Sequence, residues 1–315
     1  MTGILETEFL WVKTMKVSGR KSYERRLGLK EFFIYFFIPL APLIIFWFLP
    51  MLASLLISFT NWNYVSPNFD LVGVENYKYI LQDDFFWQAL KNTLVFGIGT
   101  VVPVLFFGFV FALFLQGNFR GKVIYQGFLF SPWVTPMVAM SIVWSWMLRG
   151  DVGLINRCLA MIGINGPDWL SNENTAMLAV IMVTIWKNSG WAMLFYTDAM
   201  SKIPNSLFEV GELEGINIFE KIKYIYFPMT KNTTYFLLIM NLITSIQAYD
   251  QFSVLTRGGP AGSTRTLLYM FYQMAFEEFN MGKASAVSLI IVIITAILSL
   301  LMIFIRKKVE SWWKK

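Results

Sequence analysis

The residues of this 315-residue chain that could do chemistry are few, and they form no catalytic set. There is no histidine, which removes imidazole bases, imidazole metal ligands and imidazole proton relays. Cys158 is the one cysteine, so neither an internal disulfide nor a cysteine metal cluster can form. The phosphate-cradling pattern Gly-x-x-x-x-Gly-Lys-[Ser/Thr] is missing, as are a Gly-x-Ser-x-Gly elbow and zinc-ligand spacing. We expect no catalytic residue, no metal and no bound cofactor. What remains reads as contact chemistry.

The most informative segment is 203–215, followed by Phe227 and Pro228. Pro204 ends the preceding chain direction. Ser206, with Glu209 three residues later, fits a capping box at a helix start. Leu207, Phe208, Val210, Gly211 and Leu213 alternate with Glu209, Glu212 and Glu214, and Gly215 suits a helix stop. Ile218, Phe219, Ile222, Ile225 and Tyr226 begin a second, more apolar set. The pattern predicts helix, bend, helix along a membrane surface, with Gly211 small enough to admit a partner. A plain amphipathic connector is the alternative.

Lys187 is the one ionisable group well inside an apolar run. A lysine there costs roughly 2.5–3.5 kcal/mol on insertion scales. Two readings are open: a cavity lining with Trp186 and Trp191 as stacking faces for a solute, or a shallow lysine that snorkels outward. Asn188, Asn241, Gln247, Tyr249 and Asp250 are further polar candidates for a solute path, with helix–helix hydrogen bonds as their alternative. Gly258-Gly259-Pro260 is a tight turn; it either shapes a receiving outer face or simply joins two spans.

The elements that hold these residues are apolar helices. The chain is 56% hydrophobic and 15% charged, with a mean hydropathy of +0.55, as in a multi-pass membrane protein. Charge-free runs cover 32–69, 92–119, 123–148, 232–249 and 284–305, and run 174–197 is broken by Lys187 alone. A crossing needs about 20 residues, so each run can hold one. Lipid obliges these crossings to be helices. With the N-terminus inside, eighteen of the 26 Lys and Arg fall on inner segments. Seven (Lys78, Lys91, Arg149, Arg157, Arg257, Arg265, Lys283) fall outside. The bias predicts six spans with both ends cytoplasmic. It accounts for the net charge of +6 without nucleic acid.

The predicted organisation is a basic segment 1–31, a six-span domain 32–308 carrying the loop 203–228, and a tail 309–315. Leu10, Trp11 and Val12 suit a membrane surface. No cleavable signal is evident, and Met15 offers an alternative start. Pro132 and Pro136 predict a kink in the third span. Residues 153–163 predict a short amphipathic helix on the outer face.

Glu209-Val210-Gly211, three more residues, Gly215, and later Phe227-Pro228 resemble the EAA loop of ABC importer permeases. Val210 and Gly211 stand for the two alanines, Glu214 for the usual aspartate, and Phe227 for leucine. Further motifs match in order: 249–252, 255–260, 263–267, Ala275-Phe276 and 282–286, with 153–156 and Trp186-Lys187 upstream. These resemble the carbohydrate-uptake permeases, the maltose-type and glycerol-phosphate-type group, over residues 30–308. The resemblance implies an all-α, type I (MetI-like) importer permease in a bacterial or archaeal cytoplasmic membrane. It implies that Ser206, Glu209, Val210, Gly211, Glu212, Glu214 and Gly215 couple to an ATPase. The implied partners are a second permease chain, two ATPase subunits that bind ATP and Mg, and an extracytoplasmic solute-binding protein facing Gly258, Gly259 and Pro260. Oligosaccharide is the implied solute, with glycerol phosphate as runner-up. A stand-alone secondary transporter or channel would want charged relays within its spans, and a membrane-embedded enzyme would want acid–base sets there. The sequence offers neither.

Overall fold

The structure, a computed structural model, describes residues 29–117 and 119–313. The segment around Leu10, Trp11 and Val12, Met15, and the last two residues of the tail lie outside the described residues. The described residues are helical and carry no strand beyond one isolated bridge, Thr60 to Leu71. In chain order they form α1 (Leu29–Leu43), a π turn (Ile44–Phe48), α2 (Leu49–Ile57), α3 (Glu75–Gln82), α4 (Asp84–Phe114), α5 (Lys122–Val134) and α6 (Met137–Met147). Then come α7 (Leu154–Met161), α8 (Glu173–Ser201), α9 (Asn205–Leu213), α10 (Ile218–Lys221), a π turn (Ile222–Tyr226) and α11 (Phe227–Ile246). The chain closes with α12 (Asp250–Leu255), α13 (Leu267–Tyr272), a π turn (Gln273–Glu277) and α14 (Met281–Trp313).

Four helical stretches are long and apolar enough to cross a bilayer: Phe33–Ile57, Asp84–Phe114, Glu173–Ser201 and Met281–Lys307. Helices α5 and α6 are together long and apolar enough for a fifth crossing, and they are bent by 96° at Thr135-Pro136. The predicted kink is therefore a full elbow, since Thr135 turns extended (ψ 133) and Pro136 follows with ψ 138. The sixth expected crossing corresponds to α11, whose 20 residues rise about 30 Å. Its first half carries Thr230, Lys231, Asn232, Thr233 and Thr234, so it is less apolar than the others.

The described chain divides into two compact units, one ending at Ala53 and one starting at Ser54. In the first, the apolar side chains of 33–52 are almost all exposed, which suits hydrocarbon and not water. The second is built on α4 and α8. Small residues let these helices close up: a Cβ at Gly108 would fall 2.6 Å from the Ala192 Cβ. Helix α4 threads three apolar clusters, giving Phe86 and Ala89 to one, Phe96 to the next, and Val104 and Ala112 to the third.

Short connections are held by asparagines. Asn156 donates to the Gly150 and Pro167 carbonyls at 2.8 and 2.9 Å and accepts from Trp169 Nε1 at 2.7 Å. That bonding ties the predicted short helix, α7, to the turns on either side of it. Near the start of α14, Asn76 donates to the Ser58 and Thr60 carbonyls, and Gly282 packs on the Thr60 carbonyl.

Candidate functional site

Segment 203–228 folds as the predicted helix, bend, helix, with different caps. Helix α9 starts at Asn205, and Pro204 at its N-cap provides no side-chain hydrogen bond. Ser206 therefore lies inside the first turn, and the expected Ser206–Glu209 capping box does not form. The box forms instead at α10. There Asn217 Oδ1 accepts from Phe219 and Glu220 N–H, and the Asn217 N–H donates to Glu220 Oε2 at 2.7 Å. Gly215 ends α9 as predicted, at φ 69°. Its N–H donates to the Glu212 carbonyl (3.1 Å) and the Ile216 N–H to the Gly211 carbonyl (3.0 Å), a Schellman closure.

The hairpin has a rooted side and a bare side. On the rooted side, Gly211 is buried beneath Ile216, and Ile203 and Ile225 enter the third apolar cluster with Met193, Tyr196 and Leu237. Phe208 packs on Tyr226 with ring centroids 5.3 Å apart. Tyr196 and Thr234 share a hydrogen bond of 3.0 Å that joins α8 to α11 above this root. The small size of Gly211 thus serves contact within the chain, which corrects the expectation that it admits a partner. On the bare side, Leu207, Val210, Leu213, Ile218 and Phe219 are exposed, Leu213 at 89% and Phe219 at 78%. Glu209, Glu212 and Glu214 stand exposed among them, Glu212 paired with Lys221 at 3.1 Å.

Lys187 follows neither of its two expected readings. It is 8% exposed, and its Nζ donates to three backbone carbonyls: Pro132 (3.0 Å), Trp133 (3.0 Å) and Thr135 (2.5 Å). All three N–H groups of the ammonium are used at the end of α5. Gly190, one turn further along α8, was not singled out from the sequence. A Cβ there would fall 1.8 Å from the Leu129 carbonyl oxygen.

The other solute-path candidates are spread out. Trp186 packs edge-on against Trp144 at 5.3 Å and borders an apolar cavity of about 350 Å³ with Phe107, Phe128 and Met182. Trp191 stacks on Trp133 at 6.4 Å and contacts Phe195 at 4.8 Å. The two tryptophans thus belong to separate aromatic pairs. Asn188 is half-buried. Asn241 is buried and donates to the Leu237 carbonyl of its own helix, and Gln247 ends α11. Tyr249 joins Tyr269 (6.1 Å) and Tyr272 (4.8 Å), with Asp250 exposed beside it. Among the described residues, no hydrogen bond or ring contact joins Lys187 or the tryptophans to Tyr249 or Asp250.

Gly258-Gly259-Pro260 is a turn bolted to the rest of the protein. Gly258 is buried with φ 76°, and a Cβ there would fall 2.6 Å from the Tyr269 ring. Thr264 Oγ1 lies 2.7 Å from both the Gly259 carbonyl and Thr256 Oγ1. Asn92 Nδ2 donates to the Gly262 and Arg265 carbonyls at 2.8 and 2.9 Å, and the Leu267 N–H donates to Thr93 Oγ1 at 3.0 Å. These partners lie some 170 residues apart in sequence, and no short motif announces them.

Fold and site together define a multi-pass membrane protein with a polar helical hairpin rooted in its helix core. Residues 104–315 match the family described as "Binding-protein-dependent transport system inner membrane component", and the chain belongs to that family. It is 29% identical over 270 residues to the probable ABC transporter permease protein YurN of Bacillus subtilis, covering 84% of this chain and 92% of that one. It is 28% identical over 276 residues to the multiple sugar-binding transport system permease protein MsmF of Streptococcus mutans, covering 88% and 95%. Its fold is similar to a chain in the crystal structure of a bacterial ABC transporter involved in the import of the acidic polysaccharide alginate. That match has a TM-score of 0.78 at 18% identity and covers 89% of this chain and 97% of the other.

Proposed function

We propose that this chain is a permease subunit of an ATP-driven importer for a carbohydrate, an oligosaccharide first of all, handed over by an extracytoplasmic solute-binding protein. One observation carries the reading: the hairpin 205–226 is buried on one side and apolar and uncovered on the other. Leu213 and Phe219 stand bare on a polar element, and contiguous exposed apolar surface marks an interaction site. The acidic residues among them set the charge of that surface. The opposite side runs without a gap into α4, α8 and α11, so a displacement of the hairpin reaches the crossings.

In this reading both chain ends are cytoplasmic, a second and different permease chain completes the path, and two ATPase subunits hold ATP and Mg and grip the hairpin. A nucleotide-driven switch needs contacts that differ between its states. The hairpin would supply them. The name of the Streptococcus mutans relative, a multiple sugar-binding transport system permease protein, supports a carbohydrate. Glycerol phosphate is the alternative; Lys187 gives it no support, because its N–H groups already meet three carbonyls. A stand-alone secondary transporter is a further alternative; it would want charged relays within its spans, and Lys187 is already capped by main chain.

The test is co-purification with the ATPase subunits. Leu213→Asp with Phe219→Asp, or deletion of 206–220, should leave membrane insertion intact and abolish both association and uptake. Retained association with retained uptake would reject the coupling role.

A further inference from the structure

The elbow between α5 and α6 leaves main-chain groups open. A helix ending at Val134 has four carbonyls without intrahelical partners, and Pro136 offers no N–H. Within hydrocarbon no water relieves them. The Lys187 ammonium lies against three carbonyls at that end, and a charged donor makes the stronger kind of hydrogen bond. Gly190 sits three residues on, on the same face of α8, where the backbone of Leu129 and Phe130 occupies the space of a side chain. Below them α8 continues through Met200 to its end at Ser201, and Ile203 just beyond it enters the hairpin root.

We propose that Lys187 is a positioning residue: with Gly190 it clasps the α5–α6 elbow to α8, so that elbow, helix and hairpin move as one body. The proposal rests on the hairpin being the ATPase contact, and it adds what the hairpin drags with it. Charge at position 187 is spent on carbonyl dipoles, not on the solute. Losing it should uncouple ATP hydrolysis from transport without weakening solute recognition.

The experiment uses the assembled transporter in nanodiscs, with Cys158→Ser and spin labels at Val123 on α5 and Leu178 on α8, both exposed. In the parent and in Lys187→Arg, the label distance should be the same in nucleotide-free and ATP-trapped states. In Lys187→Met it should broaden in both, and solute moved per ATP should fall several-fold with apparent solute affinity unchanged. Lys187→Gln is read in the same way if the methionine variant does not assemble. A Met or Gln variant with the parent's distance and the parent's solute-to-ATP ratio overturns the clasp. Failure of the coupling reading is seen separately, as ATPase subunits that stay bound to the Leu213→Asp, Phe219→Asp chain. The nucleotide-free distance still decides the clasp in that case.

Discussion

Ile216 fills the space that Gly211 leaves: a Cβ at position 211 would fall 2.6 Å from Ile216 Cδ1, while the Ile216 N–H donates to the Gly211 carbonyl at 3.0 Å. The hairpin is thus closed by its own chain.

Gly211→Ala should be tolerated at a cost, because the obstructing atom is the end of a flexible side chain. Overpacking of this kind costs about 1–3 kcal/mol. Gly211→Phe should dislodge the hairpin. Thermal unfolding in detergent, read beside ATPase association, separates the two; equal behaviour of both variants would contradict the packing.

At Gly215 the space is open and only the backbone objects. Nothing lies within 4 Å of a Cβ there, and φ is 69°. Gly215→Ala should therefore cost about 1–2 kcal/mol, and Gly215→Asn less. A midpoint unchanged by alanine would show that the Schellman closure is not retained in the membrane.

Gly190 is the severe case. Its obstruction is backbone, the Leu129 carbonyl, which cannot turn aside. Gly190→Ala should exceed the roughly 1–3 kcal/mol of ordinary overpacking and strongly reduce the yield of monodisperse protein. Gly127, with nothing within 4 Å, is the control and should accept alanine.

Where α4 holds the 256–266 loop, Asn92→Leu removes the donor to two carbonyls. Leaving such groups unpaired costs about 1–3 kcal/mol. If the loop receives a binding protein, stimulation of ATP hydrolysis by that protein should fall while basal hydrolysis persists. Parallel loss of both would assign Asn92 to the fold alone.

Glu212→Gln should change stability by no more than about 0–1 kcal/mol, because the carboxylate is 69% exposed and its pair with Lys221 is screened. Any larger loss of transport in that variant measures partner contact. Chemical denaturation of the purified chain provides the baseline.

The crossings were legible because hydrocarbon permits few charges and one backbone form. Runs 92–119, 174–197 and 284–305 lie within or close to α4, α8 and α14, and Pro132 with Pro136 announced a bend. The hairpin was legible from glycine, proline and acid spacing, although the capping box moved from Ser206 to Asn217, whose own pattern Asn-x-x-Glu fits equally well. What stayed hidden is contact with main chain. Lys187 finds carbonyls 52 to 55 residues away, and carbonyls have no letter in a sequence. The same holds for Gly190 against Leu129 and for Asn92 against Gly262 and Arg265. The solute-path candidates, an intramembrane lysine with two tryptophans and a set of polar groups, are distributed by the fold over several elements.

The reach of Asn92 has a biosynthetic consequence. A ribosome makes Asn92 and then adds 170 more residues before the Gly262 carbonyl exists. At about 5–20 residues per second, that leaves the amide bare for roughly 10–30 s. The chain is thus threaded early and latched late, and truncations before residue 262 should yield inserted but unlatched helices open to quality-control proteases.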